Sequence, residues 1–221
     1  MFLFGPNKPM IRMAAVFLGV DLAGSPRRPS GVAMMDENLR CRTWVRFLDD
    51  EIIADFDSLK PAVVGVDAPL GLPRGRVSLD KPGPPHFRLC DLELRRRRIK
   101  FFPITIGPMR MLTARGIRLA ELLRQRGATV YEAYPGGVQD VLGIPRKQQG
   151  VAELVKSLRR LGVKGLSINT TGDQADAATC ALAACLWWRG LCEELGNPDE
   201  GVIILPKPTV SRKSLDHRGP R

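Results

Sequence analysis

Two aspartates, Asp21 and Asp67, each end an apolar run in the same tripeptide, Gly-Val-Asp, within the phrases FLGVDLAGS and VVGVDAPLG. A carboxylate at the end of a buried strand is costly unless it is paired, hydrogen-bonded or bound to a metal ion. Two such strand ends in one small domain therefore predict a shared acidic site.

Three further acidic residues fit the same site. Glu132 lies near the end of another predicted strand, and Asp173 and Asp176 open a long predicted helix. Residues three apart lie near one face of a helix, and the carboxyl ends of parallel strands meet at the sheet edge where α/β proteins place their sites. The predicted catalytic residues are Asp21, Asp67, Glu132 and Asp176.

Clustered carboxylates repel one another, and a hard divalent cation relieves that repulsion. Mg²⁺ or Mn²⁺ prefers oxygen ligands and keeps several waters for substrate phosphates. Two such ions about 4 Å apart can activate a water and stabilise the leaving oxygen of a phosphodiester. The predicted metal ligands are Asp21, Asp67, Asp173 and Asp176.

Three of these acidic residues also have structural interpretations. Asp173 precedes a helix and could serve as its N-cap. Asp176 in the first turn could complement the helix dipole. Glu132 could pair with an arginine. Asp21 and Asp67 have weaker structural alternatives, because both follow strands that are expected to be buried.

The charge balance favours a polyanionic partner. Thirty-four Lys and Arg against 23 Asp and Glu give a net charge of +11, which is typical of proteins that bind nucleic acid or an anionic surface. The alternative is a generally basic surface without a specific partner, in which the run Arg95–Arg98 could be a solvated helix face. We predict phosphate contacts at Arg115, Arg95 and Lys147.

Cysteine, histidine and hydropathy patterns exclude several classes of protein. Five cysteines without a Cys-x-x-Cys pair predict reduced thiols in a cytoplasmic protein. With two histidines, a zinc site is disfavoured, and His86 is a weaker candidate for a general acid or base. No apolar run approaches the roughly 18 residues of a membrane span, so no membrane partner is predicted.

The acidic residues need elements that bring them to one edge. Three predicted strands with short connections form an antiparallel meander, and a strand–helix–strand order then implies a crossover to a parallel neighbour. We expect a leader over 1–13, a single domain over 14–210 and a basic tail over 211–221. The predicted strands are 14–21, 31–36, 42–48, 62–67 and 129–134. The predicted helices are 51–60, 88–100, 113–126, 151–161 and 171–188. We expect a bend over 106–113 and an edge strand or a covering segment over 201–205.

Six phrases, in this order, resemble the domain-of-unknown-function family 429 over roughly 16–205: GVDLAGS, GVDAPLGLP, RLCDLELRRRRI, MLTARGIRL, VYEAYPGGVQDVLG and TGDQADAATCALAA. The resemblance implies an α/β, RNase H-like fold, with a five-stranded mixed sheet of three antiparallel and two parallel strands and helices on both faces. It also implies divalent-metal nuclease chemistry. The Asp173-x-x-Asp176 helix start is similar to the end of RuvC-like resolvases, where paired aspartates complete a metal site.

These observations leave two hypotheses of different classes. The first is a metal-dependent nuclease acting on DNA or RNA, and the second is a catalytically inactive nucleic-acid-binding or assembly protein with the same fold. A phosphotransferase of the actin and sugar-kinase type also begins strands with Gly-x-Asp, but it needs two related domains, and 221 residues are too few for them. The sequence leaves a homo-oligomer open.

Overall fold

The computed structural model describes residues 14–81 and 83–215, so the predicted leader lies outside the described residues. A mixed sheet forms the centre of the fold, with helices against both of its faces. Its strands are β1 (Val16–Asp21), β2 (Ser30–Asp36), β3 (Cys41–Arg46), β4 (Val63–Asp67), β5 (Val130–Glu132), β6 (Cys192–Asn197) and β7 (Gly201–Pro206).

Within the part of the chain that the structure describes, seven α-helices connect or flank these strands. A short 3₁₀ turn spans Lys147–Gln149, and no helix within residues 14–81 and 83–215 is long and apolar enough to span a bilayer. The helices are α1 (Asp49–Leu59), α2 (Leu89–Arg96), α3 (Gly107–Arg124), α4 (Pro135–Val141), α5 (Val151–Arg160), α6 (Gly172–Trp188) and α7 (Arg212–Leu215).

The sheet order is β3-β2-β1-β4-β5-β7-β6. The first three strands form the predicted antiparallel meander, and α1 carries the chain across to β4, which pairs with β1 in parallel. Strand β5 adds to β4 in parallel. The three carboxyl ends of β1, β4 and β5 therefore lie along one edge of the sheet.

The predicted count of five strands is wrong, because the described chain has seven. After α6, the polar sequence of 192–197 forms β6 and turns into β7, which pairs with β5 in parallel and with β6 antiparallel. The mixed pattern CEELGN lacks the apolar alternation that marks a half-buried strand. Its strand conformation comes from pairing with the buried β7, which is a long-range contact.

Several helix boundaries also differ from the sequence prediction, and α2 ends at Arg96 rather than at 100. Helix α3 begins at Gly107, so the stretch 106–113 that was expected to bend is already helical after Gly107, with Pro108 in the first turn where proline is tolerated. Helix α7 lies within the segment assigned to the basic tail, and its Leu215 is buried against the core cluster that contains α5 and α6.

Small residues let α6 lie directly on the sheet. A Cβ built at Gly19 would stand 2.1 Å from the Ala177 carbonyl oxygen and 2.3 Å from the Ala181 nitrogen, and one at Gly65 would stand 2.7 Å from the Cys180 oxygen. These distances are shorter than any van der Waals contact, so glycine is required at both strand positions. The close approach brings the start of α6 to the edge where β1 and β4 end.

Replacing Gly19 by alanine should lower the free energy of unfolding by about 3 kcal/mol, because backbone atoms of α6 must move to admit the methyl group. Urea denaturation measures the change. Gly24→Ala is the matched control, since its Cβ would meet nothing closer than 3.4 Å. Equal stability of the two variants would show that α6 does not pack on β1 as described.

Candidate active site

Asp21 and Asp67 are direct neighbours. They end β1 and β4, and the parallel register aligns the two residues with each other. Aligned residues on parallel neighbours point to the same face of the sheet, with strands about 4.8 Å apart. The pairing places both side chains on the face covered by α6, as Gly19 and Gly65 two residues earlier also face that helix.

Helix α6 supplies the next two carboxylates. Its N-cap is Thr171, whose side chain accepts a hydrogen bond from the Gln174 amide in a capping box, so Asp173 is not needed as the cap. Asp176 is buried one turn into the helix, and the Gln139 side-chain amide donates to its Oδ1 at 2.7 Å. Asp173 is about half exposed.

The ammonium group of Lys147 lies among these carboxylates. Its Nζ is 2.9 Å from Asp21 Oδ2, 3.0 Å from Asp173 Oδ1 and 3.0 Å from Asp176 Oδ2. Lys147 begins the 3₁₀ turn before α5, and the adjacent backbone at Gly172 leaves room for its stem. Three of the predicted acidic residues thus meet at the ammonium group of a fourth predicted residue, Lys147.

Asp67 stands apart from that contact. Within residues 14–81 and 83–215, no hydrogen bond or ion pair reaches its carboxylate. Burial, reinforced by the charges of Asp21 and Asp176, raises its pKa well above the ordinary value. A cation that approached this carboxyl group would favour its charged form.

The other charges of the cluster are also perturbed. Burial, opposed by Lys147 and reinforced by Asp176, raises the pKa of Asp21 to about 7. Burial alone would lower the pKa of Lys147, but the attraction of Asp21 and Asp176 outweighs it, so that pKa is raised above its ordinary value. The cluster holds its lysine charged and has more negative charge than the lysine balances.

Glu132 does not join the cluster, contrary to the prediction. It is in register with Val66 rather than Asp67, and successive strand residues alternate faces, so its side chain lies on the opposite face. There it accepts two hydrogen bonds from Arg88, at 2.6 and 2.9 Å, and one from the Leu70 amide at 3.1 Å. The structure therefore shows the ion pair with an arginine that the sequence left open as an alternative for Glu132.

Arg88 is itself buried, with 1% of its surface exposed, and its guanidinium also holds Asp91 at 2.9 Å. Burial raises the pKa of Glu132, although Arg88 opposes the shift. The pair ties the end of β5 to the start of α2. Gln139 is a site residue that the sequence analysis did not single out, and the pairing of Arg88 with Glu132 was not predicted either. The spacing Arg88-x-x-Asp91 is a sequence signal that could have indicated the ion pair with Asp91.

Arg115 is committed to internal contacts. Its guanidinium donates to Asp49 at 2.7 Å, to the Ala23 carbonyl at 2.6 Å and to the Phe47 carbonyl at 2.8 Å, and the residue is buried. These bonds tie α3 to the loop after β1 and to the start of α1. Three of its five N–H donors therefore already face internal acceptors, which argues against the phosphate contact predicted for Arg115, and that contact stays a prediction.

A cleft of about 240 Å³ opens at the same edge of the sheet. It is lined by Asp67, Glu132, Lys147 and Asp176, among others. His86 is not among its lining residues, and its ring nitrogen lies 2.7 Å from the Thr105 hydroxyl instead. The cleft makes the acidic edge accessible to a ligand.

The donor set fits a hard divalent cation. Asp21, Asp67 and Asp176 present carboxylate oxygens, which Mg²⁺ and Mn²⁺ prefer, and the Lys147 ammonium stands in for a cation at three acidic contacts. Within residues 14–81 and 83–215, no group of three or more His, Cys, Asp or Glu side chains is already arranged as a metal-binding set. The carboxylates are instead closed around the lysine.

Comparisons with known proteins match this chain to a family model and to solved structures. The model of a family described as "Protein of unknown function (DUF429)" matches residues 19–201. The structure of RuvC from Thermus thermophilus is similar over 79% of this chain and 96% of that chain, with 13% sequence identity and a TM-score of 0.46. No curated protein matches the sequence.

Proposed function

The chain belongs to the DUF429 family of proteins of unknown function, and we propose that it is a divalent-metal-dependent nuclease that hydrolyses phosphodiester bonds of DNA or RNA. In this proposal the mixed sheet is of the RNase H-like type. The antiparallel meander, the crossover to β4 and the parallel β5 support that assignment.

One observation carries the proposal. Asp21, Asp67 and Asp176 come from three different elements and converge at one sheet edge, where Asp67 and Asp176 line the acidic cleft, and these three carboxyl groups outnumber the single ammonium group of Lys147 beside them. Maintaining unbalanced buried charge costs stability. Perturbed carboxyl groups that share a cleft are a feature of functional sites rather than of ordinary surface.

The residues then take the following roles. Asp21, Asp67 and Asp176 would hold Mg²⁺ or Mn²⁺, with Asp173 at the exposed rim. A bound ion supplies Lewis acidity and lowers the pKa of water. Gln139 orients the Asp176 carboxylate through its hydrogen bond. Lys147 supplies a positive charge in the cleft that a substrate phosphate can share.

Of two further predicted residues, Glu132 has an altered role in this proposal and Arg95 keeps its predicted one. Glu132 acts as a positioning residue, because its charge is committed to Arg88. Arg95 remains a candidate for phosphate contact, since it is exposed on α2. The net charge of +11 supports nucleic acid as the substrate class.

Cleavage of labelled single-stranded, duplex and branched DNA and RNA tests the proposal, with Mg²⁺, Mn²⁺ or EDTA. Wild type should cut with metal and not with EDTA, and Asp21→Asn should cut at least about 100-fold more slowly, because metal-assisted charge stabilisation is worth several kcal/mol. Asp57→Asn is the matched control, since this exposed α1 residue loses the same charge elsewhere. Equal rates for wild type and Asp21→Asn would refute the site.

A second function is favoured by the Lys147 contact itself. If the ammonium permanently fills the cation position, the protein would bind nucleic acid or assemble on it without cleaving it. Salt-dependent binding that survives Asp67→Asn, together with no cleavage under any metal, would establish this second function and exclude the first.

A further inference from the structure

A second cleft lies beside the carboxylates. It has a volume of about 730 Å³ and shares five lining residues with the acidic cleft, so the two clefts adjoin. The shared residues are Phe101, Phe102, Tyr134, Arg146 and Gln148. We refer to this space, which Phe87, Arg95, Arg98 and Lys100 also line, as the aromatic cleft.

The charge of the aromatic cleft is entirely positive. Its lining includes no acidic residue. Arg95, Arg98 and Lys100 are exposed, and within residues 14–81 and 83–215 no carboxylate forms a salt bridge with any of them. Arg146 is different, because it is held by Asp140 at 2.6 Å. Three cations thus remain available to a polyanion.

Aromatic rings lie between these cations. Phe102 has 71% of its surface exposed, although a ring of its size gains from burial. Phe87 meets Phe101 edge to face at 6.1 Å, and the Arg95 guanidinium lies 4.1 Å from the centre of the Phe87 ring. One exposed ring, with half-buried rings and unpaired cations beside it, provides the aromatic faces and positive charges with which proteins hold the bases and phosphates of an unpaired strand.

We propose that the aromatic cleft binds an unpaired stretch of nucleic acid and leads it to the carboxylates. A base stacks on Phe102, while Arg95, Arg98 and Lys100 contact the phosphates. The inference rests on the proposed function and deepens it by naming the substrate class. Duplex nucleic acid fits less well, because its base faces are covered by their neighbours and cannot stack on Phe102.

The size of the acidic cleft supports the same class. About 240 Å³ is available beside Asp67 and Asp176, which is at the small end of ligand sites and suits one segment of a single strand rather than a double helix. Because Phe101 and Phe102 line both spaces, a strand held by the rings has its backbone directed towards the carboxylates.

Fluorescence anisotropy of a labelled 12-nucleotide single strand and of the same sequence as a duplex tests the proposal in EDTA, where no cleavage competes. Wild type should bind the single strand more tightly than the duplex. Phe102→Ala should weaken single-strand binding about 5- to 150-fold, the range for loss of one stacked base. Phe102→Trp should retain binding, whereas Phe102→Leu, which keeps apolar bulk without a ring, should resemble Phe102→Ala.

Salt dependence tests the cations separately. Each phosphate contact adds about 0.7 to the slope of log affinity against log salt for a single strand, so Arg95→Ala combined with Arg98→Ala should reduce that slope by about 1.4. The matched control combines Lys156→Ala with Arg160→Ala, two exposed residues of α5 outside the cleft, and should leave the slope unchanged.

The outcomes separate this inference from the proposed function. Absent single-strand binding, equal affinity for duplex, or unchanged binding by Phe102→Ala would overturn the inference, even if Asp21→Asn abolishes cleavage. Ring-dependent single-strand binding by a protein that cleaves nothing would support the cleft and refute the nuclease. Both measurements use the full chain.

Discussion

Replacing Lys147 by methionine is expected to lower the free energy of unfolding by about 3 kcal/mol at about pH 8 without divalent cations. The ammonium contacts Asp21, Asp173 and Asp176, and these carboxylates lose their common partner in the variant. Because methionine keeps most of the apolar part of the side chain, the loss of stability measures the effect of removing the positive charge. Urea denaturation in EDTA measures it.

The loss should grow with pH. The pKa of Asp21, raised from 3.8 to about 7 by burial against the opposing effect of Lys147, rises further when the lysine is removed. An acid whose pKa is higher in the folded state binds more protons when folded, so stability falls as pH rises from the unfolded value to the folded one. Variant and wild type should therefore differ least at about pH 5 and most at about pH 8.

Manganese distinguishes the two proposed functions in the same experiment. If the carboxylates hold a metal, Mn²⁺ at about 100 times its dissociation constant should add about 2.7 kcal/mol to the variant. Wild type should gain less, because the ion competes with the ammonium. Lys156→Met, an exposed lysine that pairs with Glu153 on α5, is the control and should change little. An equally stable Lys147→Met in EDTA would show that the ammonium does not neutralise the cluster.

Replacing Arg88 by methionine is expected to cost about 3 to 5 kcal/mol, because removal of one partner from a buried ion pair leaves uncompensated charge. Arg88 holds both Glu132 and Asp91, and all three are almost completely buried. Without the guanidinium, the raised pKa of Glu132 rises further, so the loss should be smaller at about pH 5 than at about pH 8. Thermal or urea unfolding checks both expectations.

Two further variants control the Arg88 result. Arg97→Met breaks the partly exposed pair with Glu193 and should cost less than about 1 kcal/mol. Glu132→Gln combined with Arg88→Met should recover part of the loss, since one of the stranded charges is gone. If Arg88→Met alone were as stable as Arg97→Met, the contacts of Arg88 with Glu132 and Asp91 would not be the stabilising buried ion pairs described above.

The outcome for Glu132 shows where sequence reasoning stops. The predicted position of Glu132 near the end of a strand is correct, and that strand, β5, pairs with β4 in parallel. The register decides which face the side chain takes, and a shift of one residue reverses it. Register depends on how β4 and β5 pair, which no local pattern of 129–134 specifies. Edge strand β6 was missed for the same reason.

Local sequence patterns are enough to locate the strand ends at Asp21 and Asp67 and the small-residue helix that opens near Asp176, because buried runs, glycines and helical periodicity are local properties. Which charges meet depends on the tertiary structure. Lys147 reaches Asp21 from 126 residues away, Arg88 takes Glu132 out of the cluster, and Arg115 is used internally. Ion pairing follows from long-range packing, and the same residue types could have been paired in many other ways.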